Sequence, residues 1–513
     1  MRLPRLPLRV AAVPAVAALA LLAACAAVID APLAHAAAPG TSPGAWPPAW
    51  QDPPASPQTY GTPRFDAPQA SHCHRLPSTR EVAGGGQSGN SGHGDRTREL
   101  RREEPARAAL EDRASRRAEA AKSVAPSAVP AAPAGAVAAA PAPADAAERE
   151  ADLAAPSLIA PRQRPRHETV TAGLVDDNAD FGEYLAYRQR NAGLPVRDRD
   201  VGERYLLEVT DAAGRPVHDA EVAVQRAGRA EPVMWARTDT AGRAWLHPRA
   251  FLAPNVSDRT LGVAVRKGSA WSRATLVRGE RAALQVRLGA APMVQRPRLD
   301  LVFMIDATGS MGDEIAKLKS SMRAMSQQIS QLPGQPDICY GLVAYRDRGD
   351  AFLTRTHDFT DELGAFQNVL ARVQAGGGGD TPEALNEALH ETVHGLSWRA
   401  DAARLVVLVA DAPPHLDYGG PQYDLDMQAA LAKGIKLFAV GASGLDPVGE
   451  YIYRQMAQYT AGRFVFLTYK DAADPGSGPG TQTVHDVQNY SVQTLDRLVV
   501  KLVGDELARL PRG

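Results

Sequence analysis

Cysteine, net charge and long apolar runs are all scarce in this chain, and each scarcity excludes a class of protein. Three cysteines in 513 residues (Cys25, Cys73 and Cys339) rule out a disulfide-stapled scaffold. Cys73 lies in low-complexity sequence and Cys339 in an apolar run, so no bridge between them is expected. His72 and His74 flank Cys73, and a chance cluster is preferred there over a metal site. Lys and Arg number 57 against 58 Asp and Glu, a formal charge of -1, which gives no footprint for nucleic acid. Apolar character is sustained only over residues 10–24, too short and too Ala-rich for a spanning helix. Gly40-Thr41-Ser42-Pro43-Gly44 matches the serine-hydrolase elbow but has no flanking strand or helix, so it carries no chemistry.

What is present begins with an export signal. Arg2, Arg5 and Arg9 precede the apolar stretch, and residues 1–24 read as a signal peptide. Leu22-Ala23-Ala24-Cys25 resembles the bacterial lipobox, which implies lipidation of Cys25, a membrane attachment by lipid anchor and residence in a bacterial cell envelope. The alternative is cleavage after Ala34-His35-Ala36, giving a secreted or periplasmic soluble protein.

Residues 25–166 are rich in Ala, Pro and Gly, have too few large apolar residues to offset their ordering entropy, and are expected to be a disordered tether. Residues 167–200 read as a short helical connector. Its Asp176-Asp177-Asn178-Ala179-Asp180 lacks the rest of an EF-hand loop and is better explained as helix capping. Seven alternating runs, at 205–210, 220–225, 233–238, 243–247, 261–266, 272–277 and 283–288, predict an all-β sandwich over 201–290. The segments Val209-Thr210-Asp211-Ala212-Ala213-Gly214 and Thr238-Asp239-Thr240-Ala241-Gly242 resemble the carboxypeptidase-regulatory-like and transthyretin-like sandwiches of exported proteins. With no catalytic constellation beside them, they imply a spacer or recognition module.

From Arg298 the pattern becomes α/β. Apolar runs at 299–305, 338–345, 405–410, 435–440 and 463–467 alternate with helical periodicity such as Ile315, Leu318, Met322, Met325 and Ile329. This predicts a doubly wound, mostly parallel sheet over 298–470, followed by a loop and a C-terminal helix over 471–513. Ligands of such sheets bind beyond the carboxyl ends of the strands. Asp306-Ala307-Thr308-Gly309-Ser310 stands at one such end and Asp411 at another. Gly376-Gly377-Gly378-Gly379-Asp380-Thr381-Pro382-Glu383 lies between them. One carboxylate and two hydroxyls at alternating positions form an oxygen cradle suited to a hard divalent cation.

On these residues the segment resembles a von Willebrand factor type A domain with a metal-ion-dependent adhesion site. The family pattern D-x-S/T-x-S falls on Asp306, Thr308 and Ser310, its distal aspartate on Asp411, and its threonine loop on either Asp380 or Thr381. Asp-Ala-Thr-Gly-Ser-Met with Gly-Gly-Asp-x-Pro-Glu-Ala is also similar to a bacterial subgroup and to the A-domain beside some atypical kinases. The resemblance implies Mg²⁺, with Mn²⁺ or Ca²⁺ as alternatives, and a protein partner that offers an Asp or Glu carboxylate to the ion.

The rival enzyme signal is His390-Glu391-Thr392-Val393-His394, the H-E-x-x-H pattern of zinc peptidases. Leu385, Ala388, Leu389, Thr392, Val393 and Leu396 form the buried stripe there, leaving the histidines on a solvated face with no third ligand evident nearby. Arg348-Gly349-Asp350 reads as a charged turn. A phospho-aspartyl enzyme would need an aspartate at position 308, where threonine stands.

Overall fold

The computed structural model of the chain describes residues 70–85, 98–99, 169–229, 231–252, 256–289 and 296–511, all within one compact unit spanning Gln58–Gly513. Cys25, the export signal and most of the expected tether lie outside the described residues.

In chain order the strands and helices are β1 (Thr79–Val82), β2 (Arg98–Glu99), β3 (Thr171–Val175), α1 (Phe181–Arg190), β4 (Tyr205–Thr210), β5 (Glu221–Arg226), β6 (Pro232–Arg237), β7 (Arg243–Leu246), α2 (Pro248–Phe251), β8 (Thr260–Lys267), β9 (Ala270–Val277) and β10 (Leu284–Arg287). The second half adds β11 (Arg298–Asp306), α3 (Gly312–Ser330), β12 (Asp337–Tyr345), β13 (Thr354–Thr360), α4 (Leu363–Arg372), α5 (Leu385–His390), β14 (Ala402–Ala410), α6 (Tyr423–Ala432), β15 (Ile435–Gly441), α7 (Pro447–Tyr459), β16 (Arg463–Asp471), β17 (Asp474–Pro479), β18 (Gln493–Thr494) and α8 (Leu495–Ala508).

Five parallel strands in the order β16-β15-β14-β11-β12 form the middle of one large sheet. Antiparallel strands extend it on both sides: β13, β1 and β2 beyond β12, and β3 and β18 beyond β16. Alternate residues of β11 face opposite ways, as a strand requires. Leu299, Leu301, Phe303 and Ile305 pack with α3, α4 and α8, while Val302 and Met304 pack with α5, α6 and α7. Helices therefore cover both faces. The chain leaves β11 toward β12 on one side and returns through β14 on the other, so the switch point of the sheet lies between β11 and β14.

The upstream strands form a three-stranded sheet, β10-β4-β7, and a four-stranded sheet, β6-β5-β8-β9, that share one core including Leu207, Val209, Val222, Val224, Val263 and Val286. Gly214 and Gly242 take φ of +79° and +70° in its tight turns, where a side chain would be strained. Asp180 caps α1 by accepting from Glu183 N at 3.3 Å, and Asp177 binds Arg454 of α7 at 2.7 Å. The acidic cluster thus serves local structure and packing.

The same core runs from these two sheets onto α6 and α7, and a buried ionic contact joins the two parts. Asp219 accepts from Arg237 at 2.8 Å and from Arg404 of β14 at 2.9 Å, with Lys267 at 3.6 Å. Burial pushes its carboxyl up, but Arg404, Arg237 and Lys267 together hold it well below the usual carboxylate range. The upstream sheets are thereby anchored to the α/β part.

Three expectations are corrected. Cys73 and Cys339 are bridged, with a Cα–Cα distance of 6.2 Å. The reason is that residues 70–85 do not behave as tether: β1 pairs with β13, and backbone bridges at Ala70–Arg399 and His74–Thr360 bring Cys73 onto β12. The connector is also more than a helix, because β3 completes an edge of the large sheet beside β16. Among the described residues no helix is long and apolar enough to cross a membrane.

Candidate metal centre

β11 is buried along nearly its whole length and ends on Asp306, after which the chain turns through Thr308 and Ser310 into α3. Asp306 Oδ1 accepts from the Thr308 amide at 2.9 Å and from Thr308 Oγ1 at 2.7 Å, and Thr308 Oγ1 lies 3.1 Å from Ser310 Oγ. These bonds use one oxygen of Asp306. The other, Oδ2, is buried with no hydrogen-bond partner.

The glycine segment is stitched to this turn through the backbone. Gly376 N donates to Ala307 O at 3.1 Å and Gly309 N to Gly377 O at 3.0 Å. Asp350 Oδ2 braces the segment by accepting from Gly378 N at 2.8 Å and from Asp347 N at 3.1 Å, so the Arg348-Gly349-Asp350 turn is a support. Gly378 has φ of +65°, and a Cβ there would lie 2.9 Å from Glu383 Oε1 and 3.1 Å from Thr308 Cβ. Only a glycine leaves this gap open.

Glu383 is the residue the glycine segment delivers to the centre. It is 3% exposed, whereas Asp380 and Thr381, the two candidates read from the sequence, are exposed. Its amide donates to Pro413 O at 3.0 Å and its carbonyl accepts from His415 N at 3.1 Å, tying it to the loop after Asp411. The overlooked signal was the apolar continuation Ala384-Leu385, which starts a buried helix and carries Glu383 inward.

Asp306 Oδ2, Glu383 Oε2 and Asp411 Oδ1 are each buried without a hydrogen-bond partner, and no ion pair to Lys or Arg reaches the three carboxylates among the described residues. Their charges are felt mutually. Burial, then the neighbouring Asp411, pushes Asp306 up to about 7. Burial, then Asp306, Asp347, Asp350 and Asp411, pushes Glu383 up to about 9. Burial raises Asp411, with hydrogen bonding by Ser310 offsetting part of it. Orphaned carboxylate oxygens beside two hydroxyls are the donor set of a hard divalent cation, so the residues fit one.

The second motif is arranged differently from its sequence expectation. His390 and His394 are half-exposed, but a third group does stand beside them: Asp426, in the first turn of α6. Glu391 points elsewhere and is ion-paired with Arg80 of β1. Asp426 was not legible because it sits in a separate helix, joined to the histidines only by tertiary packing.

Residues 300–473 match the von Willebrand factor type A domain, and this part of the chain is such a domain, of a kind that serves protein–protein interaction and adhesion. The chain is 31% identical over 119 residues to the alpha-protein kinase vwkA of Dictyostelium discoideum, covering 23% of this chain and 19% of that protein. It is 31% identical over 119 residues to the putative ariadne-like RING finger protein R811 of Acanthamoeba polyphaga mimivirus, covering 23% and 11%. With von Willebrand factor A domain-containing protein 7 of Rattus norvegicus it shares 37% over 93 residues, covering 18% and 10%. The likeness thus spans a fifth or less of each relative's length.

Proposed function

We propose that this chain is a binding protein whose A-domain captures a partner through a divalent cation, Mg²⁺ or alternatively Mn²⁺ or Ca²⁺. Asp306, Thr308 and Ser310 would hold the ion with Asp411 and Glu383, and neither Asp380 nor Thr381 is needed as a ligand. When bound, the ion supplies an electrophilic coordination position for an Asp or Glu carboxylate of the partner. Thr308 and Ser310 contribute neutral oxygens, and Glu383, whose carboxyl is pushed up to about 9, adds little further charge near neutral pH, so the ion would keep an electrophilic position. The Gly376–Gly379 backbone keeps the gap between Thr308 and Glu383 open.

The observation that carries this reading is the convergence of three buried, unpartnered carboxylate oxygens at the switch point of the sheet. Export and a lipid anchor at Cys25 belong to the same proposal, and the Cys73–Cys339 bridge supports the oxidising compartment they require. A zinc peptidase at His390-Glu391-x-x-His394 is the weaker reading, since the base it needs is engaged by Arg80.

A pull-down from envelope extract in millimolar Mg²⁺ or in EDTA, with Asp306→Ala alongside, tests the proposal. Partner capture is expected only from wild type in Mg²⁺, with the fold of the variant unchanged by circular dichroism. Equal capture in EDTA would sink it.

A further inference from the structure

The geometry points to a second metal site, chemically unlike the first, formed by His390, His394 and Asp426. His390 Nδ1 lies 3.1 Å from Asp426 Oδ1 and 3.3 Å from Oδ2, and His394 Nε2 lies 2.9 Å from the same Oδ1. All three ligand atoms fall within 4.8 Å of one another. Ligands held at about 2.1 Å from one ion stand ~3.0 Å apart at right angles and ~3.4 Å apart in a tetrahedron. The contacts to Asp426 already have this spacing, so an ion would enter by replacing the protons between the rings and the carboxylate.

The local structure explains why the three groups meet. His390 ends α5, and the chain then widens into a π turn at Glu391–Gly395. His394 is thereby set beside His390, with ring centroids 4.5 Å apart. Val393 and Thr392 are buried beneath them, which fixes the turn from below. Asp426 is only 4% exposed and approaches from α6, while the two imidazoles keep side-chain exposures of 49% and 38%. Three positions of an ion would be filled by protein and the remainder would face solvent.

Two imidazoles and one carboxylate suit a borderline transition metal such as Zn²⁺ or Co²⁺, and discriminate against Mg²⁺ and Ca²⁺. The two centres would therefore not compete for one ion. Glu391 is drawn toward Arg80 and Gly395, away from the imidazoles, so the site is a binding site without its own general base.

Its placement gives it a structural consequence. α5 begins directly after Glu383, and α6 follows the loop that starts at Asp411. Asn386 already links these segments, donating to His415 O at 2.5 Å and accepting from Tyr423 N at 2.8 Å. A transition-metal ion would clip together the two segments that carry Glu383 and Asp411.

Untagged full chain, stripped with EDTA and dialysed into excess Mg²⁺ to occupy hard oxygen sites, can be titrated with ZnCl₂ by competition with a chromophoric chelator, and with CoCl₂ by visible absorption. One Zn²⁺ per chain is expected, with Co²⁺ giving d–d bands. His394→Ala and Asp426→Asn should each weaken binding on the order of 100-fold, whereas Asp306→Ala should leave it unchanged. Failure of wild type to bind would overturn the site, as would unchanged Zn²⁺ stoichiometry and affinity in the exposed double variant His390→Ala/His394→Ala. Zinc-dependent peptide cleavage abolished by Glu391→Gln would overturn the placement of Glu391 as a partner of Arg80 only. Loss of partner capture by Asp306→Ala leaves this site unaffected, so the two proposals fail separately.

Discussion

The two ends of the central strands treat buried carboxylates in opposite ways. Where β11 and β14 begin, each buried carboxylate has its cation. Asp300 accepts from Arg399 Nε at 2.6 Å and from its amide at 2.7 Å, and Asp219 is shared by Arg404, Arg237 and Lys267. Where the same strands finish, Asp306 and Glu383 are buried and Asp411 is half-buried, with no such partner; burial raises all three, and neighbouring carboxylates raise Asp306 and Glu383 further. A buried charge is tolerated only when paired or metal-bound. The first end is therefore architecture, and the second is where the proposed ion would supply the missing positive charge. The same residue type thus means different things at the two ends, and the sign of its mutational effect should differ.

The largest effect is expected at the paired end. Asp219→Ala leaves Arg404 buried without its carboxylate and should cost about 3–5 kcal/mol in a denaturant titration. A cost under about 1 kcal/mol would show that the ionic contact does not hold the two parts together.

At the unpaired end the sign should reverse. Asp306→Asn removes a buried carboxylate whose ionisation burial and Asp411 oppose, so in EDTA its unfolding midpoint should equal or exceed that of wild type. Wild type alone should then be stabilised by Mg²⁺, by about 2.7 kcal/mol at a hundredfold excess over Kd. Marked destabilisation of the variant in EDTA would erase the contrast.

The smallest effect sharpens the paired end by its exception. His247 is fully buried against Tyr459 of α7, with ring centroids 4.9 Å apart and neither ring nitrogen hydrogen-bonded. Burial, then Arg204 and Arg188, lowers it from 6.5 to about 3. The unfolded chain binds the proton first, so the contribution is complete above about pH 6.5 and is lost as pH falls toward 3. It amounts to about 2 kcal/mol between pH 7 and 5. His247→Gln should flatten that part of the stability profile, measured by thermal melts across pH; an unchanged profile would remove His247 as its source.

The strands and the unpaired end were legible in the sequence, the paired end was not, and the illegible parts share a cause. The apolar runs ending at Ile305 and Ala410 gave the strands and placed Asp306 and Asp411 at their ends, because a buried parallel strand needs an uninterrupted apolar run. The upstream strands were equally plain from their alternation. What escaped depends on contacts between distant segments. Thr79–Val82 is four residues inside Ala, Pro and Gly-rich sequence, and its strand exists because β13 offers an edge. Cys73 found Cys339 for the same reason. Glu383 stood inside the glycine motif, but its neighbours Asp380 and Thr381 drew the assignment, since which of three adjacent oxygen donors turns inward is set by packing against the Asp411 loop. Asp426 is joined to the histidines only through the meeting of α5 and α6.

The Cys73–Cys339 bridge also sets a route for mechanical load. A pull on the chain upstream of Cys73 first meets the Ala70–Arg399 backbone bridge and, past those hydrogen bonds, is held covalently at Cys339, in β12, which pairs in parallel with β11 from Arg298 opposite Asp337 to Asp306 opposite Tyr345. A partner held at the end of β11 would draw against that pull along neighbouring strands, so the hydrogen bonds between them would be loaded together in shear and not peeled one at a time. The upstream sheets, docked on α6 and α7, would stand outside the line of force.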